Sequence, residues 1–369
     1  MRHLRVPRNL EVGKLAGVGE KEMNELKFIM YVFSSLLFLL GCSSGKNTDL
    51  NLTFTNEILL PHTSARNQGH TQTCWAYAMA SMLESDYLAR TGDTVRLSVM
   101  YGVRQKYMKQ FEQYYYSKGH DEIRGGGLGH SFLWVLKEKG AIPDEAYKGY
   151  LPGAKYHDHR VLLKKMRSLA EEAVDKKDLH TYRNKAEDLL DDYMGKVPER
   201  FMYKGLEYTP RSFADSLELS SDVHMELTSF THHPFNRSFI LEVPDNWEHA
   251  SFYNVPIDSL EAYVRKALYR GQTVVWDGDT SEEGFSHQLG IALHSQSCIT
   301  QDVRQQDFES FKTTDDHMMH IVGLAHDEEG VRYYILKNSW GRRNPYQGLV
   351  YMSEDYFRAK TVSVVLPVR

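Results

Sequence analysis

The run Gln68-Gly-His-Thr-Gln-Thr-Cys74 ends in a single cysteine, and an apolar segment with helical spacing starts at once at Trp75, Ala76, Ala78, Met79, Met82 and Leu83. Thr71 or Thr73 is the candidate cap of that helix. A sulfur at a helix start meets the positive end of the macrodipole, which favours thiolate over thiol. The same stretch also suits an inert cysteine packed as a small hydrophobe. Residues far downstream bear on the choice. Nucleophilic catalysis by cysteine needs a base, a group that orients the base, and donors for the oxyanion. His317, in Asp315-Asp316-His317-Met-Met-His320-Ile-Val-Gly323, is the candidate base. Asn338, in Asn338-Ser-Trp340-Gly341, carries an amide oxygen able to fix the imidazole tautomer, and Trp340 could shield that bond from water, where it is worth more. Gln68, six residues before Cys74, carries an amide that could join the Cys74 backbone N–H in holding an oxyanion. A thiolate–imidazolium pair of Cys74 and His317 is the expectation.

The order Gln68…Cys74-Trp75, then His317, then Asn338-Ser-Trp340-Gly341 resembles the papain superfamily of cysteine peptidases. His317 also precedes Gly323 by six, as the family's histidine precedes a glycine. The resemblance implies an α+β fold of two subdomains, one helical and one barrel-like, with the active-site cleft between them. It implies that Cys74, His317, Asn338 and Gln68 are catalytic. It implies that Gly126-Gly127 pairs with substrate backbone and that Trp75 and Trp340 border the substrate. A peptide or protein is then the substrate, with no cofactor and no metal. Pro210-Arg-Ser-Phe213, Pro234-Phe-Asn-Arg237 and Tyr253-Asn-Val-Pro-Ile-Asp258 point to the bleomycin hydrolase (aminopeptidase C-like) branch. That branch carries a C-terminal arm that enters the cleft and enforces aminopeptidase behaviour. After the last expected strand only Pro367-Val368-Arg369 remains here, about 10 Å at full extension. The expectation is a more open cleft with some endopeptidase activity on N-blocked peptides. Two other elements could still close it: the helical stretch Lys155 to Met194, or the acidic loop Asp277-Gly-Asp279-Thr-Ser-Glu282-Glu283, which could hold an α-amino group. No room is seen for an inhibitory segment ahead of the catalytic loop.

Two rival readings are weaker. A catalytically dead, peptide-binding scaffold is at odds with four intact catalytic residue types. A metal enzyme built on His317, His320 and His232 or His233 lacks the Glu of a His-Glu-x-x-His helix, and its histidines lie in a strand-like run. Cys298, in a polar Ser-Gln-Ser-Cys loop, reads as a bystander thiol.

The elements that must position these groups fall into two textures. Cys74 to about Arg90, Ser98 to Tyr115 and Ser131 to Lys139 read as helices. Arg124-Gly-Gly-Gly-Leu-Gly129 lies between the last two and permits close backbone approach. Helical stripes at Leu162, Met166, Leu169 and Ala173, then Ala186, Leu189, Leu190 and Tyr193, predict a charged-faced hairpin. Beyond Pro198, Ser238–Val243, Gln272–Trp276, His317–Ala325, Tyr333–Leu336, Leu349–Met352 and Thr361–Val368 read as strands. Leu260 to Arg270 reads as a helix capped by Asp258. The domain reading is 55–154 helical with the nucleophile, 155–205 a helical insertion, and 206–369 β-rich with His317 and Asn338.

The first 42 residues read as a signal peptide with a lipobox. Phe28 to Leu40 is a short apolar core flanked by Lys21 and Lys27, and Leu39-Leu40-Gly41-Cys42 offers Cys42 for lipidation. The run is too short for a permanent membrane helix. Met23 is a candidate true start, and residues 43–54 read as a tether. The expected location is the bacterial cell envelope, held by the lipid. A net charge of -5 over 369 residues argues against nucleic acid as a partner. Three cysteines make no disulfide framework. An oligomer is compatible with all of this.

Overall fold

The computed structural model describes residues 52–368. The lipidation signal around Cys42 lies outside the described residues, as does most of the tether. The apolar run after Cys74 forms α1 (Cys74–Thr91), buried at every position from Cys74 through Ser85. A helix buried all round is central to its core, and its polar residues must then find partners. Ser81 Oγ bonds His320 Nδ1 at 2.7 Å. Glu84 accepts from Thr63 Oγ1 and Arg66 Nη2, each at 2.6 Å, and from the Leu97 amide at 2.9 Å. Around α1 pack α2 (Val99–Tyr116), capped by the Ser98 hydroxyl, and α3 (Gly129–Lys139). The charged hairpin is α4 (Arg160–Lys176) and α5 (Leu179–Met194). Its stripes, Leu162, Met166, Ala170 and Ala173 facing Tyr182, Ala186, Leu190 and Met194, join the same apolar core as α1.

The second half of the chain builds the sheet. It begins with a small hairpin, β2 (Phe201–Tyr203) and β3 (Leu206–Tyr208), followed by α6 (Pro210–Ser216). Next come β4 (His224–Thr228), β5 (Arg237–Ile240), β6 (Ser251–Asn254), α7 (Ile257–Tyr269) and β7 (Val274–Gly278). Short strands β8 (Phe285–Ser286) and β9 (Ile291–Ala292) precede α8 (Gln301–Glu309). The chain then runs through β10 (His317–His326), β11 (Arg332–Lys337), β12 (Leu349–Ser353), α9 (Glu354–Lys360) and β13 (Thr361–Pro367). Among the described residues, the sheet order is β5-β6-β4-β13-β7-β10-β11-β12-β9-β8, with the early strand β1 (Thr55–Leu59) paired to β10. The central strands alternate between two cores, as the pleat requires. Val275 and Met318 face the helical core, while Val274, Trp276, Met319 and Ile321 face a second core under α7 and α9.

Register brings the chemistry to one end of this sheet. His317 opens β10 opposite Gly278, the last residue of β7. His320 pairs with Lys337, so Asn338, the next residue after β11, comes back beside His317. The first turn of α1 lies against β10 at that same end.

Two expectations at helix starts fail. Thr73 stands at the N-cap position of α1, but no side chain caps the helix. Instead the Thr71 and Thr73 hydroxyls bond each other at 2.6 Å, and Thr71 Oγ1 donates to Gln68 O at 2.8 Å. These hydroxyls fix the loop rather than the helix. Asp258 is not the cap of α7: Pro256 holds that position, and the Asp258 carboxylate is drawn to Arg358 Nη2 at 2.7 Å.

Candidate active site

The loop 66–68 and the turn after β11 pair with each other. Gln68 N donates to Ser339 O at 2.8 Å and Gly341 N donates to Arg66 O at 3.0 Å. This ladder joins the stretch before Cys74 to the Asn338 turn. Ser339 then orients the side chains of both walls. Its amide donates to Asn338 Oδ1 at 2.7 Å, and its hydroxyl donates to Gln68 Oε1 at 2.6 Å. A backbone N–H can only donate, so the atom it meets is the Asn338 oxygen. The His317 nitrogen 2.8 Å from that oxygen, Nε2, therefore carries the proton. Nδ1 is left as the basic nitrogen. On the other wall, Gln68 Oε1 is held by Ser339, which leaves the Nε2 hydrogens for a ligand. Trp340 lies over the imidazole with ring centroids 4.5 Å apart and covers the His317–Asn338 bond.

Electrostatics at rest favour neutral partners. Burial pushes the Cys74 thiol up to about 12, against a downward pull from the Met318 backbone. Burial takes His317 down to about 4, opposed by its bond to Asn338. No Cys74–His317 hydrogen bond is present among the described residues. Desolvation therefore opposes a lone charge on either group, against the helix-start field that favours the thiolate. Three acids add to the effect on Cys74: Asp245, Asp277 and Asp315. Burial raises all three; at Asp245 it is opposed by Lys106, Arg124 and the Gly127 amide, at Asp277, pushed up to about 7, by hydrogen bonds with Asp315 and Ser363, and at Asp315 it is reinforced by repulsion from Asp277 and Asp245.

Several expected site residues stand elsewhere. Trp75 does not border a substrate path: it is fully buried, its Nε1 donates to Gly125 O at 3.0 Å, and its ring packs edge-on to Phe132. The Gly126 face expected to receive substrate carries the Asp245 carboxylate, while Gly127 lies against the Trp75 ring. The acidic loop is mostly spoken for. Asp279 accepts from Ser281 and Thr314, and Glu282 pairs with Lys360. His317 and His320, three apart on β10, face opposite sides of the strand, and His320 is tied to Ser81. His232 and His233 both reach Glu242, at 3.1 and 2.6 Å. The Thr231 amide fixes Gln305 Oε1, so Gln305 Nε2 donates to His232 Nδ1. The proton of neutral His232 therefore sits on Nε2, toward Glu242, and not on the nitrogen a metal would leave free. Cys298 is exposed, and its amide donates to Asp355.

Three neighbours of the site were not singled out from sequence: Ser339, Asp245 and His287. Asn338 Nδ2 donates to His287 Nδ1 at 3.2 Å, which completes the amide's bonding. The only signal for Ser339 was its place beside Asn338; His287 and Asp245 lie in loops without periodicity.

A central helix that begins at a cysteine, a sheet that returns a histidine and an asparagine to that point, and a glutamine held opposite are together the architecture of a papain-like cysteine peptidase. The model of the Peptidase C1-like family matches residues 155–368, and the chain belongs to that family. It is 23% identical over 364 residues to Aminopeptidase G of Lactobacillus delbrueckii subsp. lactis, covering 83% of this chain and 81% of that protein. The crystal structure of PepW from Lactobacillus rhamnosis HN001 superposes with a TM-score of 0.72 at 18% identity, covering 95% of this chain and 92% of that one. That likeness speaks for the fold. Among the described residues, no helix is long and apolar enough to cross a membrane.

Proposed function

We propose that the chain hydrolyses peptide bonds through an acyl-enzyme on Cys74. Cys74 Sγ attacks the scissile carbonyl while its proton passes to His317 Nδ1. Burial penalises a lone thiolate and a lone imidazolium, but the transfer creates both charges together, and their attraction in a low-dielectric site offsets much of that cost. The tetrahedral oxyanion takes hydrogen bonds from Gln68 Nε2 and the Cys74 N–H. His317 then protonates the leaving amine, the C–N bond breaks, and water hydrolyses the thioester by the same route in reverse. Asn338 holds the imidazole in the Nε2–H tautomer throughout. The observation that carries this reading is the pair of fixed amides: Ser339 sets both Asn338 and Gln68, so base and oxyanion donor are oriented before substrate arrives.

The similarity to an aminopeptidase supports action at substrate N-termini. Anchoring through a lipid on Cys42 belongs to the same reading and rests on the Leu39–Cys42 run alone. Iodoacetamide provides the test. Loss of peptide hydrolysis should track labelling of Cys74 in peptide maps, with labelling of Cys298 silent and chelators without effect. Full activity after complete Cys74 labelling would overturn the assignment.

A further inference from the structure

His287 stands in the turn between β8 and β9 and meets the side of the Asn338 amide that faces away from His317. The turn takes its shape from other contacts. Gly290 N donates to Ser286 O at 2.8 Å and to His287 O at 3.2 Å, β8 pairs with β9, and β9 pairs in parallel with β12. The His287 ring is half-buried and packs edge-on to Trp340, with ring centroids 5.6 Å apart. The same indole lies 4.5 Å from the His317 ring, so Trp340 covers both imidazoles.

The bonding at Asn338 fixes the state of His287. Ser339 N can only donate, and it meets Asn338 Oδ1 at 2.7 Å, so the atom 3.2 Å from His287 Nδ1 is the amide nitrogen. An amide nitrogen only donates, so His287 Nδ1 accepts and carries no proton. The proton of neutral His287 sits on Nε2, an atom closed off from solvent. A second proton has to enter at Nδ1, where it faces the Asn338 N–H. The contact then becomes two donors aimed at each other. Turning the amide over would set Nδ2 against both the Ser339 N–H and the His317 Nε2–H. Whichever group gives way, Asn338 loses a contact that fixes its orientation.

Charge acts in the same direction. Burial takes His287 below its ordinary range, opposed by the Trp340 backbone, so the ring is neutral at neutral pH and gains its charge only as pH falls. Among the described residues, His317 on β10 is the titratable group set against it, and a charge on His287 opposes a charge on His317. Phe285 of β8 and Trp340 bring no charge to the cluster, only aromatic cover. A protonated His287 therefore loosens the orienting amide and disfavours the imidazolium that must protonate the leaving amine.

We propose that His287 is a pH-dependent positioning residue: neutral, it accepts from Asn338 Nδ2 and holds the amide that orients His317; protonated, it releases that amide, and peptide hydrolysis falls. This rests on the peptidase reading above and adds the control of that site by acid.

The test follows kcat and KM against pH for the wild type, His287→Gln and His287→Leu, each also combined with Asn338→Ala. Glutamine keeps an oxygen for Asn338 Nδ2 and has no proton to gain; leucine keeps neither property. His287→Leu should lower kcat at neutral pH by roughly 2- to 10-fold with KM nearly unchanged. That loss should vanish beside Asn338→Ala, since His287 acts through that amide. His287→Gln should recover most of it and carry its activity to lower pH than the wild type. Superimposable acid limbs for the wild type and His287→Gln overturn the proposal. So does a His287→Leu loss undiminished beside Asn338→Ala. Nitrogen NMR of the labelled wild type gives a readout that needs neither turnover nor a variant. The His287 ring should carry its proton on Nε2 at neutral pH and gain one at Nδ1 on acidification, and a proton on Nδ1 at neutral pH overturns the proposal. Hydrolysis that depends on Cys74, with acid limbs that superimpose, leaves the peptidase reading standing and this one fallen. The expected ring titration in a protein that hydrolyses no peptide overturns the peptidase reading while the His287–Asn338 contact stands.

Discussion

Ser339→Ala is a small change with a calculable effect. Its hydroxyl donates to Gln68 Oε1 at 2.6 Å, in a site where Gln68 is 8% exposed. A neutral hydrogen bond of this kind contributes about 0.5–1.5 kcal/mol net. That is the bias that keeps the amide oxygen on Ser339 and the Nε2 hydrogens toward the oxyanion. At about 1.4 kcal/mol per factor of ten, its loss lowers the productive population by roughly 2- to 10-fold. The two backbone bonds of Ser339, to Asn338 Oδ1 and from Gln68 N, survive the substitution. The fall should therefore appear in kcat, with KM nearly unchanged, because the oxyanion exists only in the transition state. Gln68→Ala removes the donor outright and should cost roughly 10²- to 10³-fold. Steady-state kinetics of both single variants and the double variant then form a cycle. The double variant should match Gln68→Ala, since Ser339 acts through a side chain no longer present. Losses that multiply, or a Ser339→Ala effect confined to KM, would refute the reasoning.

Further outcomes follow from the same geometry. Asn338→Ala should lower kcat by roughly 10-fold, less than His317→Ala, because Asn338 orients the base without exchanging a proton; equal losses would assign it a larger part. Burial pushes His157 down to about 4 and His159 down to about 3, so both stay neutral in the fold. An unfolded histidine takes a proton near 6.5, so their stabilising effect is complete above about 6.5 and is lost as pH falls toward 4 and 3. Melting temperature should drop across that window, and less steeply in His159→Gln; parallel curves would contradict this. Cys42→Ser should move the protein from the membrane fraction to the soluble one, and wild-type protein with Cys42 unmodified would remove the anchor from the account.

The sequence made most of the candidate site legible because chemistry at a point needs particular side chains at particular spacings. Gln68, Cys74, His317 and Asn338 were readable for that reason. So were α1 and β10, whose apolar runs are long. The hydroxyls of Thr71 and Thr73 looked like caps, since Ser and Thr bond local backbone in several ways and spacing does not say which one wins. The resemblance placed Trp75 at the substrate beside Cys74, yet adjacent helix positions point in different directions, and the indole fits the core under Gly127. Strands β6, β8 and β9 are too short to show a period. Asp245 was invisible for a different reason. A lone acid in a Pro-Asp-Asn turn carries no periodicity, and only the folding of that turn onto Gly126 from about 120 residues away brings it beside the site.

The central claim is that Cys74 is the nucleophile of a peptidase. Its most direct test is hydrolysis of a free-amine peptide by Cys74→Ala beside Cys298→Ala, with melting temperature followed for both. The account predicts no turnover from Cys74→Ala with its melting temperature nearly unchanged, and near-normal turnover from Cys298→Ala. Peptide cleavage by a folded Cys74→Ala protein would contradict it.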